Sequence, residues 1–202
     1  VWFGQSKDDS MNERVTILVS GGGASEKMLR MTLNAIQKYK NYTNYFLIVL
    51  CPVHQCEVPV KLCNELSLPC HKFFTSDDQM AGSKLHAEVL DSFVPNIKTP
   101  LMLTMDADCF PIADGWLDTL VGYIDNGNVI AGIAHPYKPP DDTIQGIERR
   151  IRSQLCWRNT HVACQLIRMD VMKDLGVKFS DGDDTGLEIV KRVRDAGFGV
   201  RV

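Results

Sequence analysis

The chain has no apolar run approaching the roughly 18 residues that a membrane-spanning helix needs. Phe46–Cys51 and Pro100–Met105 are its longest apolar stretches, and their length suits buried strands. It has no basic excess: the formal net charge is −3, whereas nucleic-acid binders usually carry a basic surplus or stripe, so no nucleic-acid partner is expected. The start, residues 1–12, is polar and acidic, without the basic opening and apolar core of a secretory signal. There is no internal repeat, low-complexity tract or Pro/Gly-rich linker. There is no Cys-x-x-Cys pair either, although Cys51, Cys56, Cys63 and Cys70 crowd one segment beside His54 and His71. Without that spacing a zinc site is the weaker reading, and reduced, partly buried thiols in a cytoplasmic protein the stronger. A cytoplasmic chain without a transmembrane segment can still sit against a membrane as a peripheral protein. The missing initiator Met and the strand-like end Gly199-Val200-Arg201-Val202 suggest an excerpt of a longer chain.

What is present is ordinary globular material. The 202 residues are 45% hydrophobic and 23% charged, enough for one domain with a full core. Strands are expected at 15–19, 45–51, 71–74, 101–105, 129–134 and 161–168. Helices are expected at 25–40, 58–66, 82–93, 116–124, 171–175 and 187–195, with a partly helical stretch at 144–154. Residues 95–99, 136–143 and 180–186 read as breaks or loops. The alternation predicts a single α/β, Rossmann-like domain over 1–202 with a mostly parallel central sheet flanked by helices, whose first pairing is a parallel βαβ unit.

In such sheets ligands bind beyond the carboxyl ends of the strands. The most apolar strand, Leu101–Met105, runs straight into Asp106-Ala107-Asp108. In an extended segment residues i and i+2 point the same way. Asp106 and Asp108 therefore make a pair of hard oxygen ligands suited to Mn²⁺ or Mg²⁺, which shares such ligands with phosphate oxygens. An acidic surface loop would give the same short motif by chance. Gly21-Gly22-Gly23 follows the first strand and precedes a helix, as a phosphate-cradling turn would, but matches neither the dinucleotide nor the P-loop fingerprint. Arg149, Arg150, Arg152 and Arg158 could hold phosphates or form a solvated face. His135 and His161 are candidate ligands, and Trp157 and Trp116 candidate sugar-stacking rings, with core packing preferred for Trp116.

Taken in order, these motifs resemble family-2-like glycosyltransferases with the GT-A fold. The resemblance rests on Leu103-Thr104-Met105-Asp106-Ala107-Asp108-Cys109-Phe110-Pro111 with Gly115-Trp116-Leu117, and on Gly82-Ser83-Lys84 opening the preceding helix. Downstream it rests on Leu166–Gly176, Gly182-Asp183-Asp184-Thr185-Gly186-Leu187, and Lys191–Phe198. It implies a metal-dependent, inverting transfer of a sugar from a UDP- or GDP-sugar to a hydroxyl of a glycan, lipid-linked or protein acceptor. It further implies that Asp108 is the more direct metal ligand and that Asp106 contacts the metal or the ribose. Gly21, Gly22 and Lys84 would serve the donor. Asp184, with Asp183 beside it, would take the acceptor proton. Together with Asp181, the same acids could instead form an acidic cap on the helix from Leu187. Cys51-Pro52-Val53 stands where relatives carry Asp after the second strand, no His follows His161, and Thr185-Gly186 replaces Thr-Asp. A haloacid-dehalogenase-type phosphatase shares the Asp-x-Asp and a later Gly-Asp-Asp, but opens with its motif. A binding module that has lost catalysis is the non-enzymatic alternative.

Overall fold

Strands buried on both faces read as continuous apolar runs, and those of this chain do so. The computed structural model describes residues 13–75, 82–134, 160–181 and 185–202. Seven strands form one sheet: β1 (Val15–Ser20), β2 (Tyr45–Pro52), β3 (Cys70–Phe73), β4 (Leu101–Asp106), β5 (Asn128–Ala134), β6 (Thr160–Arg168) and β7 (Gly199–Arg201). Their order is β3-β2-β1-β4-β6-β5-β7. The pairings β1/β2, β1/β4, β2/β3 and β5/β7 are parallel. β6 runs antiparallel to both β4 and β5. The expected mostly parallel α/β sheet is observed, with this one reversal as the added feature.

The helices are α1 (Glu26–Lys38), α2 (Glu57–Leu66), α3 (Gly82–Phe93), α4 (Trp116–Asp125), α5 (Met169–Asp174) and α6 (Leu187–Asp195). Single 3₁₀ turns at Val53–Gln55 and Val94–Asn96 went unanticipated. Ser25 caps α1 by accepting the Met28 N–H at 3.3 Å. Leu29, Thr32, Leu33 and Ile36, at helical spacing, form its buried face. α1 stops two residues short of the expected Lys40, because Tyr39 turns extended.

Alternate residues of each strand feed two cores. Ile17, Val19, Leu103 and Met105 pack with α1, α2 and α4 on one face. Leu18, Leu50, Met102 and Ile167 pack with α3, α5 and α6 on the other. The one hydroxyl in the middle of β4, Thr104, is fully buried and donates to the Val162 carbonyl at 2.6 Å, which satisfies it and ties β4 to β6. Among the described residues no helix is long and apolar enough to cross a membrane. The loop expected at 136–143 and the helical stretch at 144–154 lie outside the described residues, as do Arg149, Arg150, Arg152, Arg158, Trp157 and His135. His161 lies in β6, its side chain undescribed. Trp116 packs partly buried against the α1/α2/α4 core, as expected of it.

Candidate functional site

The register of the two central strands builds the site. β1 and β4 pair so that Ser20 stands opposite Asp106. The Gly21-Gly22-Gly23 turn and the Ala107-Asp108 turn therefore leave the sheet side by side at its carboxyl edge. Each turn is held by hydrogen bonds that do not use the carboxylates. The Gly21 N–H donates to the Leu50 carbonyl at 2.9 Å, and the Cys109 N–H to the Asp106 carbonyl at 3.0 Å. Thr32, buried on α1, donates its hydroxyl to the Ala107 carbonyl at 2.6 Å.

The glycines are required by close approach. A Cβ on Gly22 would lie 2.5 Å from Cδ of Pro52 and 3.1 Å from Oε1 of Gln55. On Gly21 it would lie 2.9 Å from Cγ1 of Val49. Gly23 has φ of +71°, a left-handed conformation that favours glycine. The turn thus lies flat against the start of the Val53–Gln55 3₁₀ turn.

Between these turns and α3 opens a cleft of about 510 Å³, within the usual ligand-pocket range. Ser20, Gly22, Gly23, Gln55, His86, Asp106 and Asp108 contribute to its wall. Asp106 is partly buried and Asp108 exposed. Asp106 and Asp108, expected together at one site, do share this cleft, and Gly22 joins them. Gly21 lies behind the wall, against Val49 and Pro59. Lys84, expected to serve the donor, lines a second cavity on the other side of α3 instead. Two residues along a helix turn a side chain by about 200°, so Lys84 faces away from His86.

Sequence reasoning missed three cleft residues. His86 Nε2 approaches Asp106 Oδ1 at 3.4 Å, with both side chains partly buried. The Ser20 hydroxyl is buried without a partner among the described residues and faces a polar cleft. Gln55 brings an amide to the place where Asp was absent after β2. The signal for His86 was its spacing: Gly82, Leu85, His86 and Val89 recur at helical period and all line the cleft.

Two carboxylates and a hydroxyl, all hard oxygen donors, fit Mn²⁺ or Mg²⁺ provided that phosphate oxygens and water complete the shell. Among the described residues no group of three or more His, Cys, Asp or Glu converges on a metal position. A metal here would therefore depend on oxygens from a bound ligand or water.

Asp183 and Asp184 lie outside the described residues, but their flanks do not. On one side, Asp91 of α3 accepts the Phe179 N–H at 2.8 Å, the Ser180 N–H at 3.0 Å and the Ser180 hydroxyl at 2.6 Å. On the other, the Thr185 hydroxyl donates to the Ser83 carbonyl at 2.6 Å. Both flanks of the second acidic motif are thus tied to the helix that carries His86. The cap position of α6 is Gly186, with φ of +77° and no side-chain cap bond. Asp181 does not cap it; it accepts the Lys178 N–H at 3.0 Å.

The crowded cysteines form a different cluster, under α2. Cys51 and Cys70 Sγ atoms lie 3.6 Å apart, and all the cysteines among the described residues are free. The Cys51 and Cys63 thiols bond to Cys70, which holds those two well above the ordinary thiol range and draws Cys70 down to about 4. Lys72 and His71 add to the lowering.

No family model and no curated protein matches this chain. Among solved structures it is similar to a mannosyltransferase of Pyrobaculum calidifontis in complex with GDP-mannose and Mn²⁺. The TM-score is 0.66 at 14% identity, over 94% of this chain and 54% of that one. The chain thus spans about half the length of that enzyme. It is also similar to a 4-diphosphocytidyl-2C-methyl-D-erythritol synthase of Anaerococcus prevotii, with a TM-score of 0.58 at 11% identity, over 95% of this chain and 88% of that one. At these identities the likeness concerns the fold. The chain has the GT-A-type, Rossmann-like α/β fold that these two proteins share.

Proposed function

We propose that this chain is a metal-dependent glycosyltransferase that binds a UDP- or GDP-sugar in the cleft at the carboxyl ends of β1 and β4. The observation that carries this reading is the Ser20–Asp106 register, which sets a close-packed glycine turn beside a paired carboxylate around one pocket of nucleotide size. The mannosyltransferase neighbour, which binds GDP-mannose and Mn²⁺, supports it.

Asp108 and Asp106 would hold Mn²⁺ or Mg²⁺. When bound, the cation would offset the charge that builds on the leaving diphosphate. His86 orients Asp106 from the side, and the Gly22 and Gly23 backbone lets the donor approach without a side chain in the way. Asp184, with Asp183 beside it, takes the proton of the acceptor hydroxyl as it attacks the anomeric carbon, and the configuration inverts. The acceptor is a glycan, lipid-linked or protein hydroxyl.

The likeness to the cytidylyl-transferring synthase supports a second reading, nucleotidyl transfer, in the same cleft. Calorimetry with UDP- and GDP-sugars, with and without Mn²⁺, tests the first. Donor binding should require the metal, and Asp108→Ala should abolish it; affinity unchanged in that variant counts against the assignment. Release of pyrophosphate from a nucleoside triphosphate and a sugar phosphate favours the second reading. Turnover of a simple phosphate monoester favours a phosphatase.

A further inference from the structure

The donor chemistry leaves one cluster of reactive groups unused. Cys51 of β2, Cys70 of β3 and Cys63 of α2 meet on one face of the sheet, and none of them lines the donor cleft or the cavity across α3. β2 and β3 are parallel, with Cys70 beside Val49 and Cys51 two residues farther on, so the two side chains project from the same face. Their sulfurs lie 3.6 Å apart, in contact. The Cys63 thiol reaches the same Cys70 sulfur from the helix.

The three thiols are not equivalent. Cys51 and Cys63 are buried, at 0% and 1% exposure, whereas Cys70 is partly exposed where it opens β3. A small oxidant arriving from solvent therefore meets Cys70 first. Both buried thiols donate to its sulfur, and Lys72 lies two residues on. These neighbours favour the thiolate, which is the form that attacks. An accessible thiolate with a second thiol in contact is the arrangement of a redox-responsive cysteine and its resolving partner. A disulfide has its sulfurs about 2.05 Å apart, so closure draws the pair closer. β3 is four residues long, lies at the edge of the sheet and pairs with β2 alone among the described strands. It has room to shift without breaking a second pairing.

We propose that Cys70 is an oxidation site for hydrogen peroxide and that Cys51 resolves it, giving a reversible Cys51–Cys70 disulfide. The Cys70 sulfur attacks one peroxide oxygen. The O–O bond breaks, and the departing hydroxide takes up a proton to become water. Cys70 is then a sulfenic acid. The Cys51 sulfur next attacks the Cys70 sulfur. The S–O bond breaks, and the hydroxide leaves as water with the Cys51 proton. In sum, two thiols lose two electrons and two protons, and one peroxide is reduced to two waters. A dithiol reductant reverses the change by thiol–disulfide exchange. The inference makes no use of the transferase reading and stands or falls without it.

Peptide mass mapping of the full chain tests it. The reduced protein, cleared of reductant, is exposed to hydrogen peroxide at neutral pH and then blocked with N-ethylmaleimide. Fragmentation of the peptides distinguishes Cys51 from Cys56 and Cys63 from Cys70. Cys51 and Cys70 should be joined, and dithiothreitol should restore both thiols. Cys70 should be consumed about tenfold faster than the partly exposed Cys56. In Cys51→Ala the joined peptide should vanish, and dimedone should trap Cys70 as its sulfenic acid. Cys63→Ala should still form the bond. Cys70 joined to Cys63 or Cys56 instead, equal consumption of Cys70 and Cys56, or no joined peptide at all overturns the proposal. Mapping of the parent chain needs no substitution, so it decides the matter even where a variant does not fold.

Discussion

The two halves of the sheet are built on different rules. In β3-β2-β1-β4 every neighbour is parallel, so all four carboxyl ends, and the turns that follow them, gather at one edge. That edge carries the glycine turn, Gln55 and the Asp106-Ala107-Asp108 motif. In β6-β5-β7 the first strand, β6, is reversed. Arg168, the end of β6, pairs with Leu101 at the start of β4, whereas Cys164 pairs with Met105 near the Asp106 end. Ala134 and Thr160 also pair with each other. The reversal therefore delivers the beginning of β6, not its end, to the carboxyl edge of β1 and β4. A parallel half can collect loops only from strand ends; one reversed strand adds an entry point from a strand start.

Substitutions at the two sheet edges should break this comparison most sharply. Asp108→Ala should abolish metal-dependent donor binding in calorimetry. Asp170→Ala, just beyond the far end of β6 and paired with Arg168 at the surface, should leave donor affinity unaltered. An equal loss in both variants would show that the donor site is not confined to the carboxyl edge.

The halves should also differ in stability. Leu103 of β4 is fully buried, so Leu103→Ala should cost about 2–5 kcal/mol in urea unfolding. Val200→Ala, in the three-residue edge strand β7, should cost well under about 1.5 kcal/mol, since its strand is mostly exposed. Comparable losses would make β7 part of the core.

A smaller effect is expected at Asp118 on α4, which anchors the α1–β2 connection. Its carboxylate accepts the Tyr42 N–H at 2.9 Å, the Thr43 N–H at 2.8 Å and the Thr43 hydroxyl at 2.6 Å. Burial pushes this carboxyl up, but the three hydrogen bonds together outweigh it and hold it below its ordinary value of 3.8. Because the folded value is the lower one, the stabilisation is full above the unfolded value and fades as pH falls through the folded one. Asp118→Ala should cost about 1–3 kcal/mol at neutral pH, and the gap from the parent should close in acid. A gap independent of pH would mean that the lost contribution is packing.

The mildest probe is chemical. Iodoacetamide at pH 6 should label Cys70 ahead of Cys51 and Cys63, as peptide mass mapping would show, because Cys70 alone of the three is drawn toward the thiolate. Even labelling of the three would remove the charge asymmetry within the cluster.

Much of this was legible in the residues. Val15–Val19 and Leu101–Met105 could hardly be anything but strands buried on both faces, and Ser25 marks the start of α1. The motif at the end of the most apolar strand located Asp106 and Asp108 at the carboxyl edge of the sheet, where they are found. Lys84 was misplaced, because a helix start announces neither its rotation about its axis nor which neighbour it faces. His86 and Ser20 escaped notice for a related reason: a single polar residue amid apolar ones gains meaning only from what it faces. Asp183 and Asp184 remain readings from motif order.

Local chemistry in the chain decided which segments are strands and helices, where they begin, and which carboxylates stand beyond a strand end. These depend on periodicity, capping and burial, all written within a few consecutive residues. Only the tertiary structure decided that β6 is reversed, that Ser20 stands opposite Asp106, and that α3 turns His86 toward one cavity and Lys84 toward another. Those outcomes depend on pairings between residues tens of positions apart, which no local pattern encodes.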